Sequence, residues 1–165
     1  MNERRQGLLT SIGLLVLRVG AGGYLMTHGW GKLVMAAEGK FAGFPDPLGI
    51  GSTASLISAA GAEFFCALLV ALGLLTRLAA IPVAFTMGVA AFVIHQGAAW
   101  TMSGVAPGVP SREPAMVFLA CFVALIFTGP GWFSLDALVY PYLGRRRARR
   151  RQHQTQDAHG QQQAG

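Results

Sequence analysis

"ALLVALGLLTRLAAIP", residues Ala67 to Pro82, decides how this chain folds. It is apolar on both sides of one polar pair, Thr76–Arg77. Followed outward, the two sides become the runs Ala54–Leu75 and Leu78–Gln96. Each approaches the ~20 apolar residues that a helix needs to cross the hydrocarbon core of a bilayer. A two-residue link leaves such helices only an antiparallel hairpin. Thr76 is placed to cap the second helix, and Pro82 falls in its first turns, where a missing N–H costs little.

Two further runs flank the hairpin, Leu8–Thr27 before it and Pro114–Thr128 after it. The first follows Arg4 and Arg5 as a signal peptide would, but it has no small-residue cleavage site and three more spans come after it, so it reads as an uncleaved helix. The composition agrees, with 53% hydrophobic and 12% charged residues against ~25% charged in an ordinary soluble domain. The expected fold is all-α, an integral-membrane four-helix bundle. Residues 1–7 form a short N-terminus, 8–143 the four-span domain, and 144–165 a basic, Gln-rich tail expected to be disordered.

Basic residues set the orientation. Arg4, Arg5, Arg77 and the six tail arginines of "RRRARRR" (Arg145–Arg151) share one side, and Lys32, Lys40 and Arg112 the other. The positive-inside rule then puts both termini of a multi-pass protein in the cytoplasm and loops 30–53 and 97–113 outside. The sequence pI of 10.2 belongs mostly to the tail. No basic face with interleaved aromatics accompanies it, which argues against nucleic acid as a partner. "GPGWFSLD" (Gly129–Asp136) stops the fourth helix, and Ser134 can cap a short helix running to Tyr140. Trp132, Phe133, Tyr140 and Tyr142 suit the inner headgroup level and Trp30 the outer one.

Ionisable residues inside the apolar runs are the candidate site. Arg18 counts to about mid-membrane, ~15 Å from the start of its span, and Glu63 to a similar depth, ~14 Å from the other surface. An unpaired arginine there costs at least ~2.5–3.5 kcal/mol, so the two are expected to pair. Small residues beside them (Ala21, Gly22, Ala59, Ala60, Ala67) would allow close helix contact. His28 and His95 end the first and third spans on the outer side, and Glu113 precedes the fourth. The three are expected to converge above the Arg18–Glu63 pair, with the glycines of "HGWGK" (His28–Lys32) turning the chain away. Imidazoles and carboxylates at that level can relay protons or bind a polar headgroup. The pair reads equally as a packing lock, and each histidine alone as an interfacial residue.

Other motifs carry less. Cys66 and Cys121 read as small packing residues, without a C-x-x-C pair. "GIGSTA" (Gly49–Ala54) follows no strand and has no acid at the spacing of a dinucleotide site. His28, His95 and Glu113 lack the local spacing of a metal site, so no metal is expected.

Three blocks together carry a resemblance: "LRVGAGGYLMTHGWGKL" (Leu17–Leu33), "GAEFFCALLVALGLLTRLAA" (Gly61–Ala80) and "GPGWFSLD". In this order they resemble the DoxX family of small four-helix bacterial membrane proteins, over roughly residues 8–140. Arg18, His28, Gly29, Lys32, Glu63, the "GLLTR" turn and "GPG…SLD" match its typical positions. Trp132 stands where many members have a basic residue. The resemblance implies a redox association, since related proteins are described as subunits of a thiosulfate:quinone oxidoreductase or as membrane partners in thiol and oxidative stress. It does not by itself imply catalysis.

Three functions follow. The first is a redox-linked membrane subunit, a partner of an oxidoreductase rather than a stand-alone enzyme. It would hold a quinone headgroup near Arg18, His28, Glu63, His95 and Glu113. The second is a small-solute transporter with the same residues along a path, which four spans without inverted repeats would support only as a homo-oligomer. The third is a scaffold without a ligand.

Overall fold

The computed structural model describes residues 3–103, 106 and 108–139. It is helical throughout, with no strand among the described residues. Helix α1 spans Glu3–Ala37, α2 Ser52–Leu72, α3 Thr76–Ile94 and α4 Glu113–Thr128. A further short helix occupies 135–139. Helices α1, α2 and α3 are long and apolar enough to cross a membrane, with mean hydropathies of 1.6, 2.0 and 1.9. Helix α4 is apolar but has only 16 residues. The expected bilayer anchors Tyr140 and Tyr142, the expected helix end at Tyr140 and the tail lie outside the described residues.

The interior is built from small and branched side chains. Ala67, Val70, Ala79, Ala80, Val83, Ala84 and Met87 of the hairpin pack with Leu25 of α1 and with Phe122 and Leu125 of α4. Many of the largest apolar side chains face outward, among them Val16, Phe65, Leu78, Phe85 and Phe127. In water that distribution would be an aggregation hazard, and against lipid tails it is the stable one.

The hairpin turn lies three residues before the expected Thr76–Arg77 link. Helix α2 ends at Leu72, and Gly73 and Leu75 both adopt left-handed backbone, at φ 73° and 50°. Thr76 does not cap α3, because the N-cap position is Leu75 and no side chain of the turn itself serves there. Asp136, sixty residues on, does the capping. Its carboxylate accepts from the N–H groups of Leu75 (2.8 Å) and Thr76 (3.0 Å), and its own N–H donates to the Gly73 carbonyl (2.8 Å). Two orphan donors of the helix start are thereby satisfied in an otherwise buried place. Ser134 caps the short helix as expected, accepting from Ala137 N–H at 3.1 Å.

Helix α1 is the main departure from expectation. It neither starts at Leu8 nor turns away at Gly29–Gly31, but runs 35 residues, about 52 Å at 1.5 Å per residue. Its first turns extend past the hairpin turn and pack on segment 129–139. Gly7 lies against the Trp132 ring, and the Ser11 hydroxyl accepts from Trp132 N–H at 3.2 Å. The start of α1, the hairpin turn and segment 129–139 thus share one end of the molecule, the turn end. Loops 38–51 and 95–112 lie at the other.

Candidate functional site: a cavity with an ion pair in its wall

At the end opposite the hairpin turn, α1, α2, α3 and loop 38–51 line a half-open cavity of about 430 Å³. Its walls are mostly apolar, and Lys32, Glu63 and His95 supply its ionisable groups. Glu63 is almost fully buried and forms an ion pair with Lys32, whose side chain is 25% exposed. A buried carboxylate is tolerated only with such a partner.

The pair exists because two helices come unusually close. A β-carbon added to Gly29 would lie 2.5–2.7 Å from the backbone of Glu63 and Phe64. No side chain fits there, so glycine lets the α1 and α2 backbones touch, and one turn later Lys32 reaches Glu63. At the same place α2 widens into a π-helical stretch, Gly61–Cys66. Helix α3 does the same over Ala90–Ile94, and His95 N–H closes it on the Ala90 carbonyl at 3.0 Å. Such insertions shift the side chains beyond them by part of a turn and are frequent at functional sites. Here one contains Glu63 and the other ends on His95, both in the cavity wall.

Loop 38–51 covers this space. Phe44, Pro45, Pro47, Leu48 and Ile50 line the cavity from the loop side. Asp46 organises the loop by accepting from Ser55 Oγ (2.8 Å) and from the N–H groups of Ile50 (3.0 Å) and Gly51 (2.7 Å). The Ser55 hydroxyl above all, then the backbone N–H groups, hold the Asp46 carboxyl below its ordinary range. These bonds favour the charged form.

The five residues expected to converge do not all do so. Glu63 and His95 line the cavity, and Arg18, His28 and Glu113 are not among the residues that line it. Arg18 is fully buried at the turn end. It donates to the Phe133 carbonyl, lies directly over Gly73, and faces Asp136 as its opposite charge. The expected Arg18–Glu63 pair is therefore not formed. Arg18 and Gly29 are eleven residues apart along α1, about 16 Å. Depth had been counted from Leu8, but α1 begins earlier and overshoots the hairpin turn, so Arg18 stands level with Gly73. His28 is exposed and turns toward α4, edge-on to Tyr24 and Phe118 at centroid distances of 5.6 and 6.4 Å. The Glu113 carboxylate accepts from Met102 N–H at 2.6 Å and orders the loop before α4, beside Arg112 stacked on Trp100. Trp30 packs on Phe64, and Trp30 and Trp132 are both largely exposed.

Sequence reasoning missed Lys32 and Asp136. By sequence Gly29 and Gly31 read as a helix stop, which puts Lys32 in a loop. Its spacing of three from Gly29 puts both on one face if the helix continues. Asp136 closes the "GPGWFSLD" block, and nothing local marks it as the cap of a distant turn.

Three apolar helices of membrane-crossing length around an apolar cavity, with a buried ion pair in its wall, make this a helical membrane protein. A family model described as DoxX matches residues 13–96, half of the chain, and the chain belongs to the DoxX family. The match covers α1 from Gly13 onward, the hairpin and the ionisable residues of the cavity, and it bears out the resemblance of the first two sequence blocks. No curated protein and no solved structure matches the chain.

Proposed function

We propose that this protein is a redox-linked membrane subunit whose cavity holds a quinone headgroup for a partner oxidoreductase. The observation that carries the reading is the pairing of a mostly apolar cavity of about 430 Å³ with Lys32, Glu63 and His95 in its wall. That volume lies within the ~300–1,000 Å³ range of small-molecule sites. The polar groups fit the ligand class. The Lys32 ammonium and an imidazole N–H of His95 can donate to carbonyl oxygens, and apolar walls suit a ring with a hydrocarbon tail. The Lys32–Glu63 pair carries no net charge, which favours an uncharged amphiphile over a free ion.

When bound, a quinone would take two electrons and two protons to become a quinol. The electrons come from the partner. This chain's residues would supply position and protons. Lys32 would orient a carbonyl oxygen and stabilise charge on it, Glu63 would hold Lys32 in place, and the His95 imidazole would pass protons.

The four helices are read as one bundle crossing a bacterial plasma membrane, with the turn end cytoplasmic and the cavity end outside. Nine basic residues against three support that orientation. The test is binding of a short-tailed ubiquinone or menaquinone analogue to the full chain in nanodiscs, with retained quinone measured by mass spectrometry. Saturable binding weakened at least tenfold by Lys32→Met is expected. Absence of binding by both analogues, with solute flux in proteoliposomes instead, would replace this reading with the transporter.

A further inference from the structure

We propose that residues 43–51 are a hinged lid whose opening controls ligand access to the cavity, and that the Asp46–Ser55 hydrogen bond is its latch. The proposal rests on the reading that the cavity takes a ligand.

The segment has the mechanical parts of a lid. Gly43 and Gly51 bound it, both in left-handed backbone (φ 87° and 92°) and both with open space where a β-carbon would stand. Between them, Pro45 and Pro47 each fix one backbone angle and stiffen the middle. The stiff part is the covering part, since Phe44, Pro45, Pro47, Leu48 and Ile50 all line the cavity. It is fastened lightly. Among the described residues, no backbone hydrogen bond joins residues 44–50 to any helix. The bonds from Ile50 and Gly51 N–H to Asp46 lie within the segment and keep its shape. The bond from Ser55 Oγ is the one that ties Asp46 to the cavity wall, for Ser55 is a buried residue of α2 that itself lines the cavity. Breaking it frees the segment to swing as a unit on its two glycines. Leu48 and Ile50 are half-exposed on the lid, so an open lid would present apolar surface at the level where a membrane-soluble ligand arrives. Lids of this kind govern binding and release without touching the chemistry.

The experiment uses the full chain in nanodiscs, with Cys66 and Cys121 replaced by alanine and Ala62→Cys introduced as a probe. Ala62 lines the cavity and is 5% exposed, so its thiol should react slowly with a maleimide while the lid is closed. Asp46→Ala should speed labelling about tenfold, the scale of one lost charge-assisted hydrogen bond. Ser55→Ala, which leaves the two internal bonds, should speed it by a smaller factor. Hydrogen exchange at the Ile50 and Gly51 amides should accelerate in Asp46→Ala and stay slow in Ser55→Ala. Unchanged labelling despite faster amide exchange would show a fixed roof and overturn the lid. Unchanged labelling in Ser55→Ala would show that the Ser55 bond is no latch and overturn the proposal equally. Labelling needs no quinone, so a lid that passes this test while neither quinone analogue binds would sink the functional reading and leave the lid intact.

Discussion

At Gly29 a single hydrogen in place of a methyl group sets the distance between two helices. A β-carbon there would enter the backbone of Glu63, and neither backbone can yield locally. Gly29→Ala is therefore expected to destabilise the protein by ~1–3 kcal/mol, the usual cost of overpacking, and to separate Lys32 from Glu63. A thermal melt in detergent checks the first effect, and quinone titration the second. The charges give a sharper test. Lys32→Met leaves the Glu63 carboxylate buried alone, at a cost of ~2 kcal/mol or more. Adding Glu63→Gln should recover much of it. By contrast, Arg18→Met and Glu63→Gln should simply add, because Glu63 packs at Gly29, about 16 Å from Arg18 along α1, and the two residues share no partner. Coupling of more than ~0.5 kcal/mol between Arg18 and Glu63 would contradict the arrangement described here. Arg18 should couple instead to Asp136.

Helices α2 and α3 are joined by a turn whose stability comes from elsewhere in the chain. Asp136 supplies the cap that Thr76 does not, and Arg18 supplies the opposite charge to Asp136. Asp136→Asn keeps one acceptor oxygen but turns an amide donor toward a second N–H. It should cost ~2–3 kcal/mol and release segment 129–139 together with the turn, seen as coincident loss of amide protection at Leu75, Thr76 and Gly73-facing Asp136. Loop 38–51 obeys a different rule, since its carboxylate is exposed. Asp46 is held below its ordinary range by Ser55 and backbone N–H groups. A carboxyl whose pKa is depressed on folding stabilises the fold above its unfolded value and loses that contribution as pH falls through the folded value. The Ile50 and Gly51 amides should thus stay protected across neutral pH and open only below about pH 4, the ordinary aspartate range. Opening near pH 6 would mean that another group fastens the loop.

On the scale of the whole molecule, the described ends of the chain gather at the hairpin turn and the cavity faces away from them. With the turn end cytoplasmic, a cysteine at Ser103 should react in intact cells with an impermeant thiol reagent, and one at Gln6 should not, in a background lacking Cys66 and Cys121. The reverse pattern would invert the molecule and open the cavity to the cytoplasm. The helical class, the apolar runs and the hairpin were legible in the sequence, because run length and the near-absence of charge report directly on a lipid environment. Glu63 and His95 were found on that basis, and both line the cavity. Their partners were not legible. The length of α1 depended on whether Gly29 ended a helix or admitted a neighbouring backbone, and only the packed α2 distinguishes the two. That choice brought Lys32 into the wall of the cavity, and the earlier start of α1 put Arg18 at the turn end. The cap from Asp136 likewise arises from contacts between segments about sixty residues apart. Local periodicity carries no record of such contacts.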